Sequence, residues 1–270
     1  MNERRDLWDR LDPRYKLILC DVWGVVHDGY RLYPGAAERL RQWRDEGRFV
    51  LLITNAPRTA EAVEQHVRRV GLPDDAWDAI ATSGDAGIAG LLRLKAPVGF
   101  LGTAEDRTIL EGRGLEIVDE GFTDLAVTGL AEGRPRAEDY QAQLGAWAQR
   151  KVRFHCLNPD RVVIQAGEAV VCAGALADMY EEMGGEVVWY GKPFEPIYAH
   201  ALALAGNPSP HEVLAVGDSL RTDMLGAARM GFDAVFVTGG IHGGEPFPAD
   251  FAARHGFGEW RPIAVVDSLR

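Results

Sequence analysis

Four short groups of residues carry types and spacings that could do chemistry. Asp21 closes the apolar run Lys16-Leu-Ile-Leu-Cys20 and opens Asp21-Val-Trp-Gly-Val25. A carboxylate at a strand end is held rigidly and can serve as nucleophile or metal ligand, or simply cap a turn. Thr54-Asn-Ala-Pro57 follows a second apolar run. Its hydroxyl and amide can donate to phosphate oxygens or act as a helix cap or turn. Lys192, set between Gly191 and Pro193, offers an ammonium to a phosphate or to a carboxylate nucleophile, although most lysines are merely solvated. Val216-Gly-Asp-Ser-Leu-Arg-Thr-Asp223 places Asp218 and Asp223 five apart at a strand-to-helix turn. Both can approach one divalent cation with the oxygen ligands Mg²⁺ prefers; the plainer reading is a capped helix with an acidic first turn.

The elements that must position these groups alternate short apolar runs with segments of helical period. That pattern predicts β/α units around a parallel sheet. Strands are expected at 16–20, 49–53, 213–216 and 234–237, and helices at 35–47, 60–70 and 220–230. Polar chemistry then sits at the C-terminal ends of three strands, the edge where open α/β sheets bind ligands. The stretch 86–187 has its own signals. They are strands at 98–101, 115–118 and 125–127 and helices at 104–112, 137–149 and 174–183, enough for a second α/β domain inserted into a core of 1–85 and 188–270.

Bulk properties narrow the partners. The chain has 270 residues, 47% of them hydrophobic, enough for a sizeable core. A formal charge of −11 disfavours nucleic acid and anionic membranes, while a local cation can still admit a small phosphorylated molecule. Cys20, Cys156 and Cys172 fit no zinc or redox spacing and read as reduced thiols of a cytoplasmic protein. The charged start MNERRDLWDRLD lacks the apolar stretch of a signal peptide, and no window is long enough to span a bilayer.

In their order along the chain, the four groups resemble the haloacid dehalogenase superfamily, and in particular its class IIA, the NagD-like or 4-nitrophenylphosphatase-like hydrolases with a large α/β cap. Asn158-Pro-Asp160 and Gly174-Ala-Leu176 add to the likeness. The resemblance implies a Rossmann-like, doubly wound parallel sheet core and a phosphatase acting on a small phosphorylated metabolite. It also implies roles. Asp21 attacks phosphorus to give an aspartyl-phosphate, Thr54 and Asn55 hold the phosphoryl oxygens, and Lys192 neutralises charge. Asp218 ligates Mg²⁺ with Asp21 and the backbone carbonyl of Trp23, with Asp223 in support. Capped relatives frequently dimerise through the insert, so a homodimer is compatible with the likeness.

The match breaks at Trp23. Most phosphatases of the superfamily have there a second Asp that protonates the leaving alcohol and then activates water. An indole exchanges no proton at neutral pH. His27 and Asp28, in the loop His27-Asp-Gly29, could supply a proton or form a plain turn. Asn158 and Asp160 could reach the site from the insert or form an Asx turn. His242, in a glycine-rich loop, reads as solvated. Two other readings compete with the phosphatase. One is a metal-independent carbon–halogen hydrolase, which the pair Asp218 and Asp223 argues against. The other is a binding protein that has lost efficient turnover.

Overall fold

The computed structural model describes residues 7–8, 10–165, 168–240 and 246–270, so His242 lies outside the described residues. By internal contacts the chain divides into two compact units: Met1–Thr54 with Glu61–Ala81 and Tyr198–Arg270, and Asn55–Ala60 with Thr82–Ile197.

The first unit is organised by β1 (Leu17–Asp21), whose five residues are all buried. A continuous apolar run with no alternation is what a strand flanked on both edges and covered on both faces requires. It pairs in parallel with β2 (Phe49–Thr54) on one side, with Asp21 opposite Ile53, and on the other with β10 (Val213–Gly217), with Cys20 opposite Val216. With β3 (Ala79–Thr82), β11 (Asp233–Val237) and β12 (Ala264–Val266) the sheet runs β12-β11-β10-β1-β2-β3. The chain winds outward from β1 through β2 to β3, then returns to the other side of β1 as β10. The switch point therefore lies between β1 and β10, where a crevice opens at the strands' C-terminal ends.

Helix α1 (Ala36–Asp45) buries the stripe Ala36, Ala37, Leu40 and Trp43 and packs on β2. Each large apolar side chain so buried contributes roughly 1.5–3 kcal/mol. Helix α2 (Ala60–Arg69) buries Val63 and Val67. The helix expected at 220–230 begins instead with a wide π turn, Leu220–Met224, before α8 (Leu225–Met230). Ser219 is the cause: its carbonyl accepts from both Asp223 and Met224 N–H, which opens the first turn.

The second unit holds a four-stranded parallel sheet in the order β4 (Gly99–Leu101), β5 (Asp124–Val127), β6 (Arg153–Cys156), β9 (Val187–Trp189). An antiparallel hairpin, β7 (Val162–Gln165) and β8 (Glu168–Val171), is separate from it. Helices α3 (Ser83–Leu92), α4 (Ala104–Gly112), α5 (Gln141–Gln149), α6 (Ala173–Glu182) and α7 (Glu195–Leu204) follow the strands, the last running on into the first unit. The core gathers Leu125, Val127, Tyr140, Leu144, Phe154, Leu176 and Tyr180. Residues 115–118, expected as a strand, make only an isolated bridge, Val98 to Ile117. The three-residue β4 pairs with β5, and its other edge is too short for the bridge to grow into a ladder.

Within this unit Asp124, His155 and Tyr190 form a buried chain. His155 bonds Asp124 at 2.8 Å through Nε2 and the Tyr190 hydroxyl at 3.0 Å through Nδ1. Burial alone would raise the Asp124 carboxyl, but hydrogen bonds from His155, Arg153 and Thr123 outweigh it and hold the group below its ordinary range. All three cysteines are buried and none is in a disulfide. Among the described residues no helix is long and apolar enough to cross a membrane.

Candidate active site

At the switch point the first unit brings three carboxylates together. Ligand oxygens of Asp21, Asp218 and Asp223 all lie within 4.8 Å of one another, and the three residues are only 6%, 3% and 4% exposed. Each is delivered by a different constraint. Asp21 is the last residue of the central strand β1, Asp218 follows the end of β10, and Asp223 turns back from the π turn so that its Oδ2 accepts the Ser219 N–H at 3.1 Å.

Glycines make the space. A Cβ on Gly24 would lie 2.1 Å from Asp218 Oδ2, one on Gly240 2.2 Å from the same atom, and one on Gly217 2.2 Å from the Asp223 Cβ and Cγ. Gly24 also has φ +96°, a conformation that side chains resist. Gly24 and Gly217 stand inside the sequence groups around Asp21 and Asp218, where the sequence alone assigns them no role, and Gly240 lies outside those groups. Their signal was glycine at a strand-end turn, and what it encodes here is room for carboxylates.

Three buried carboxylates repel unless a cation joins them. This all-oxygen donor set, held in a cradle that a β-carbon would fill, suits a hard divalent cation. Beside it a cavity of about 320 Å³ is lined in part by Asp218, Arg221, Phe236 and Thr238. A larger depression of about 590 Å³ lies elsewhere, around Lys16 and Phe49, where Arg41 and Arg44 are engaged by Asp75 and Asp78.

Thr54 ends β2, one residue beyond the partner of Asp21, and is partly buried. Trp23 is half-buried, and its indole covers Gly29, where a Cβ would come within 2.9 Å of Cη2. The indole also meets the His27 ring edge-on at 5.8 Å. His27 is 1% exposed, takes the Gly29 N–H on Nδ1 at 2.9 Å, and stands edge-on to His66 of α2 at 5.2 Å. Burial, then the neighbouring His66, lowers its pKa to about 4. Asp28 forms a turn: Oδ1 accepts the N–H groups of Tyr30 and Arg31 at 2.9 Å each, and Oδ2 accepts Arg31 Nε at 3.2 Å. Those backbone bonds hold its carboxyl below the usual range.

The remaining candidates belong to the second unit and form a group of their own. Asn55 Oδ1 accepts the backbone N–H of Lys192 at 2.7 Å, and its Nδ2 donates to Asp160 Oδ1 at 2.8 Å. Asn158 closes an Asx turn by accepting the Asp160 N–H at 3.2 Å. Lys192 is 3% exposed, so it is no solvated surface lysine. Asn55 thus braces the lysine's backbone with its own side chain.

Comparison with known proteins gives a consistent picture. A family model described as haloacid dehalogenase-like hydrolase matches residues 18–116, and a HAD-hydrolase-like model matches 189–270. Ribonucleotide monophosphatase NagD of Escherichia coli (strain K12) is 30% identical over 238 residues, covering 84% of this chain and 88% of the relative. The 5'-nucleotidase YutF of Bacillus subtilis (strain 168) is 26% identical, covering 94% and 96%. A solved hydrolase of the haloacid dehalogenase-like family from Brucella suis 1330 superposes with a TM-score of 0.83 at 32% identity over 100% of both chains.

Proposed function

Because the chain belongs to the haloacid dehalogenase superfamily, in its NagD-like class IIA, and is a phosphoric monoester hydrolase, we propose that it works through an aspartyl-phosphate on Asp21 with Mg²⁺ in the three-carboxylate cradle. The observation that carries the reading is the convergence of Asp21, Asp218 and Asp223, all buried, within 4.8 Å at the switch point. A metal-free carbon–halogen hydrolase has no use for such a cluster.

Asp21 attacks phosphorus in line with the departing oxygen. Its place on a central strand fixes that approach, and positioning together with charge neutralisation is most of what phosphoryl transfer asks of a protein. Thr54 donates to the phosphoryl oxygens, Asn55 adds its backbone N–H because its side-chain amide is taken up by Asp160 and Lys192, and Lys192 supplies a positive charge. Asp21, Asp218 and the Trp23 carbonyl would hold the cation, and Asp223, braced by the Ser219 N–H, would support it. When bound, Mg²⁺ supplies a Lewis acid that offsets the charge gathering on the transferring group. Asn158 and Asp160 orient the segment carrying Lys192 through Asn55.

The substrate class is a small phosphorylated metabolite; the relatives' names point to nucleotides among other esters. Phosphate release from a panel of such compounds should require Mg²⁺ and stop on adding chelator. An acid-stable phosphate should be trapped on the wild-type chain and be absent from Asp21→Asn. Chelator-resistant turnover, or equal labelling of the two proteins, would refute the reading.

A further inference from the structure

The loop after β1 holds three side chains as candidates to pass a proton to the leaving group, and none of them offers an acidic proton. The Trp23 indole has no exchangeable acid and lies over Gly29. His27 uses Nδ1 to accept the Gly29 N–H, so its single ring proton is on Nε2, which is buried with no hydrogen-bond partner among the described residues, and the ring lies edge-on against His66; such an uncharged imidazole is no acid. Asp28 has both oxygens occupied by Tyr30 N–H, Arg31 N–H and Arg31 Nε. Gly29 sits at φ +97° with no room for a β-carbon beneath the indole, so the loop is built around Trp23.

From this we infer that the site, on the aspartyl-phosphate reading above, is specialised for phosphates whose leaving oxygen departs as a stable anion: acyl, enol and aryl phosphates and phosphoanhydrides rather than alkyl esters. Asp21 Oδ forms its bond to phosphorus as the bond to the leaving oxygen breaks, and the electron pair stays on that oxygen without a proton. Water then attacks the aspartyl-phosphate, the pair of the breaking P–Oδ bond returns to Asp21, and the water proton moves to a phosphoryl oxygen, giving dihydrogen phosphate. The loop offers no base for that water either, so the second step is the slow one. In this the chain would differ from nucleotidases, whose nucleoside monophosphates are alkyl esters.

The test uses the full chain with Mg²⁺ and a leaving-group series: acetyl phosphate, dinitrophenyl, nitrophenyl and phenyl phosphates, and glycerol phosphate. For the wild type, kcat/KM should fall steeply as the leaving group becomes more basic, while kcat stays level across the good leaving groups. Rapid mixing with nitrophenyl phosphate should give a burst of nitrophenol equal to the enzyme present. Since general acid help is worth ~10²–10⁴-fold, Trp23→Asp should raise kcat/KM for glycerol phosphate relative to that for the dinitrophenyl ester by ~10–10³-fold. Trp23→Asn, without a proton to give, should leave the ratio of the two substrates' kcat/KM where the wild type has it, whatever it does to the overall rate. A shallow slope in the wild type overturns the inference, as does an equal gain in Trp23→Asn. A phosphate trapped on wild type and missing in Asp21→Asn would leave the aspartyl-phosphate reading intact in that case, and its absence would sink that reading itself.

Discussion

With no cation present, Asp21, Asp218 and Asp223 place three like charges within 4.8 Å of one another in a buried site. At that separation and an effective dielectric constant of 20, each pair of ionised groups repels by about 3.5 kcal/mol. Asp218→Asn keeps the shape and removes two of the three pairs. Polar neighbours screen part of the sum, so a gain of ~2 kcal/mol in metal-free stability is the conservative expectation. That corresponds to a rise of ~4–8 °C in melting temperature for a protein of this size class. Mg²⁺ should work the other way. The wild type gains ~2.7 kcal/mol at a hundred times its dissociation constant, and the variant should gain far less. Scanning calorimetry of both proteins, in chelator and in Mg²⁺, should show the variant melting higher without metal and the gap closing or reversing with it. A variant that melts lower in chelator, beside a wild type indifferent to Mg²⁺, would refute the claim that the cluster is a cation site.

Gly24→Ala should weaken Mg²⁺ binding at least ~tenfold and cost ~1–3 kcal/mol, because its Cβ would meet Asp218 Oδ2 at 2.1 Å from a φ of +96°; titration calorimetry reading wild-type affinity would contradict the cradle. Asn55→Ala strips the acceptor from the buried Lys192 N–H and should cost ~1–3 kcal/mol in denaturant unfolding; an unchanged midpoint would show the brace to be idle. His27 is neutral in the folded protein, its pKa lowered from 6.5 to about 4. Between those values the unfolded chain binds more protons, so this group's contribution to stability is lost as pH falls from 6.5 towards 4, by at most ~3 kcal/mol. His27→Gln should flatten that part of the pH profile measured by urea unfolding, and a profile identical to wild type would count against it.

The parallel sheet was legible in the sequence because β1, β2, β10 and β11 are short unbroken apolar runs, and each ends in polar residues. The spacing of Asp218 and Asp223 was likewise enough to bring both to one turn. What period and spacing could not show was local. The π turn comes from one carbonyl, that of Ser219, accepting two N–H groups, a choice that leaves the apolar pattern of 220–230 unchanged. Residues 115–118 have the composition of a strand, but pairing is decided by the partner, and β4 is too short an edge to extend. The cradle escaped for a similar reason: a glycine reveals that something comes close without revealing what.

The place of Asp21 on β1 has a consequence for how the protein fails. A buried strand bonded on both edges opens only when the whole unit does, because no fraying end or loop can release it first. Amide hydrogens of residues 18–21 should therefore exchange with solvent at the slowest, global rate. Heating should extinguish activity along the same curve as the sheet, with no milder regime in which Asp21 drifts while the scaffold persists.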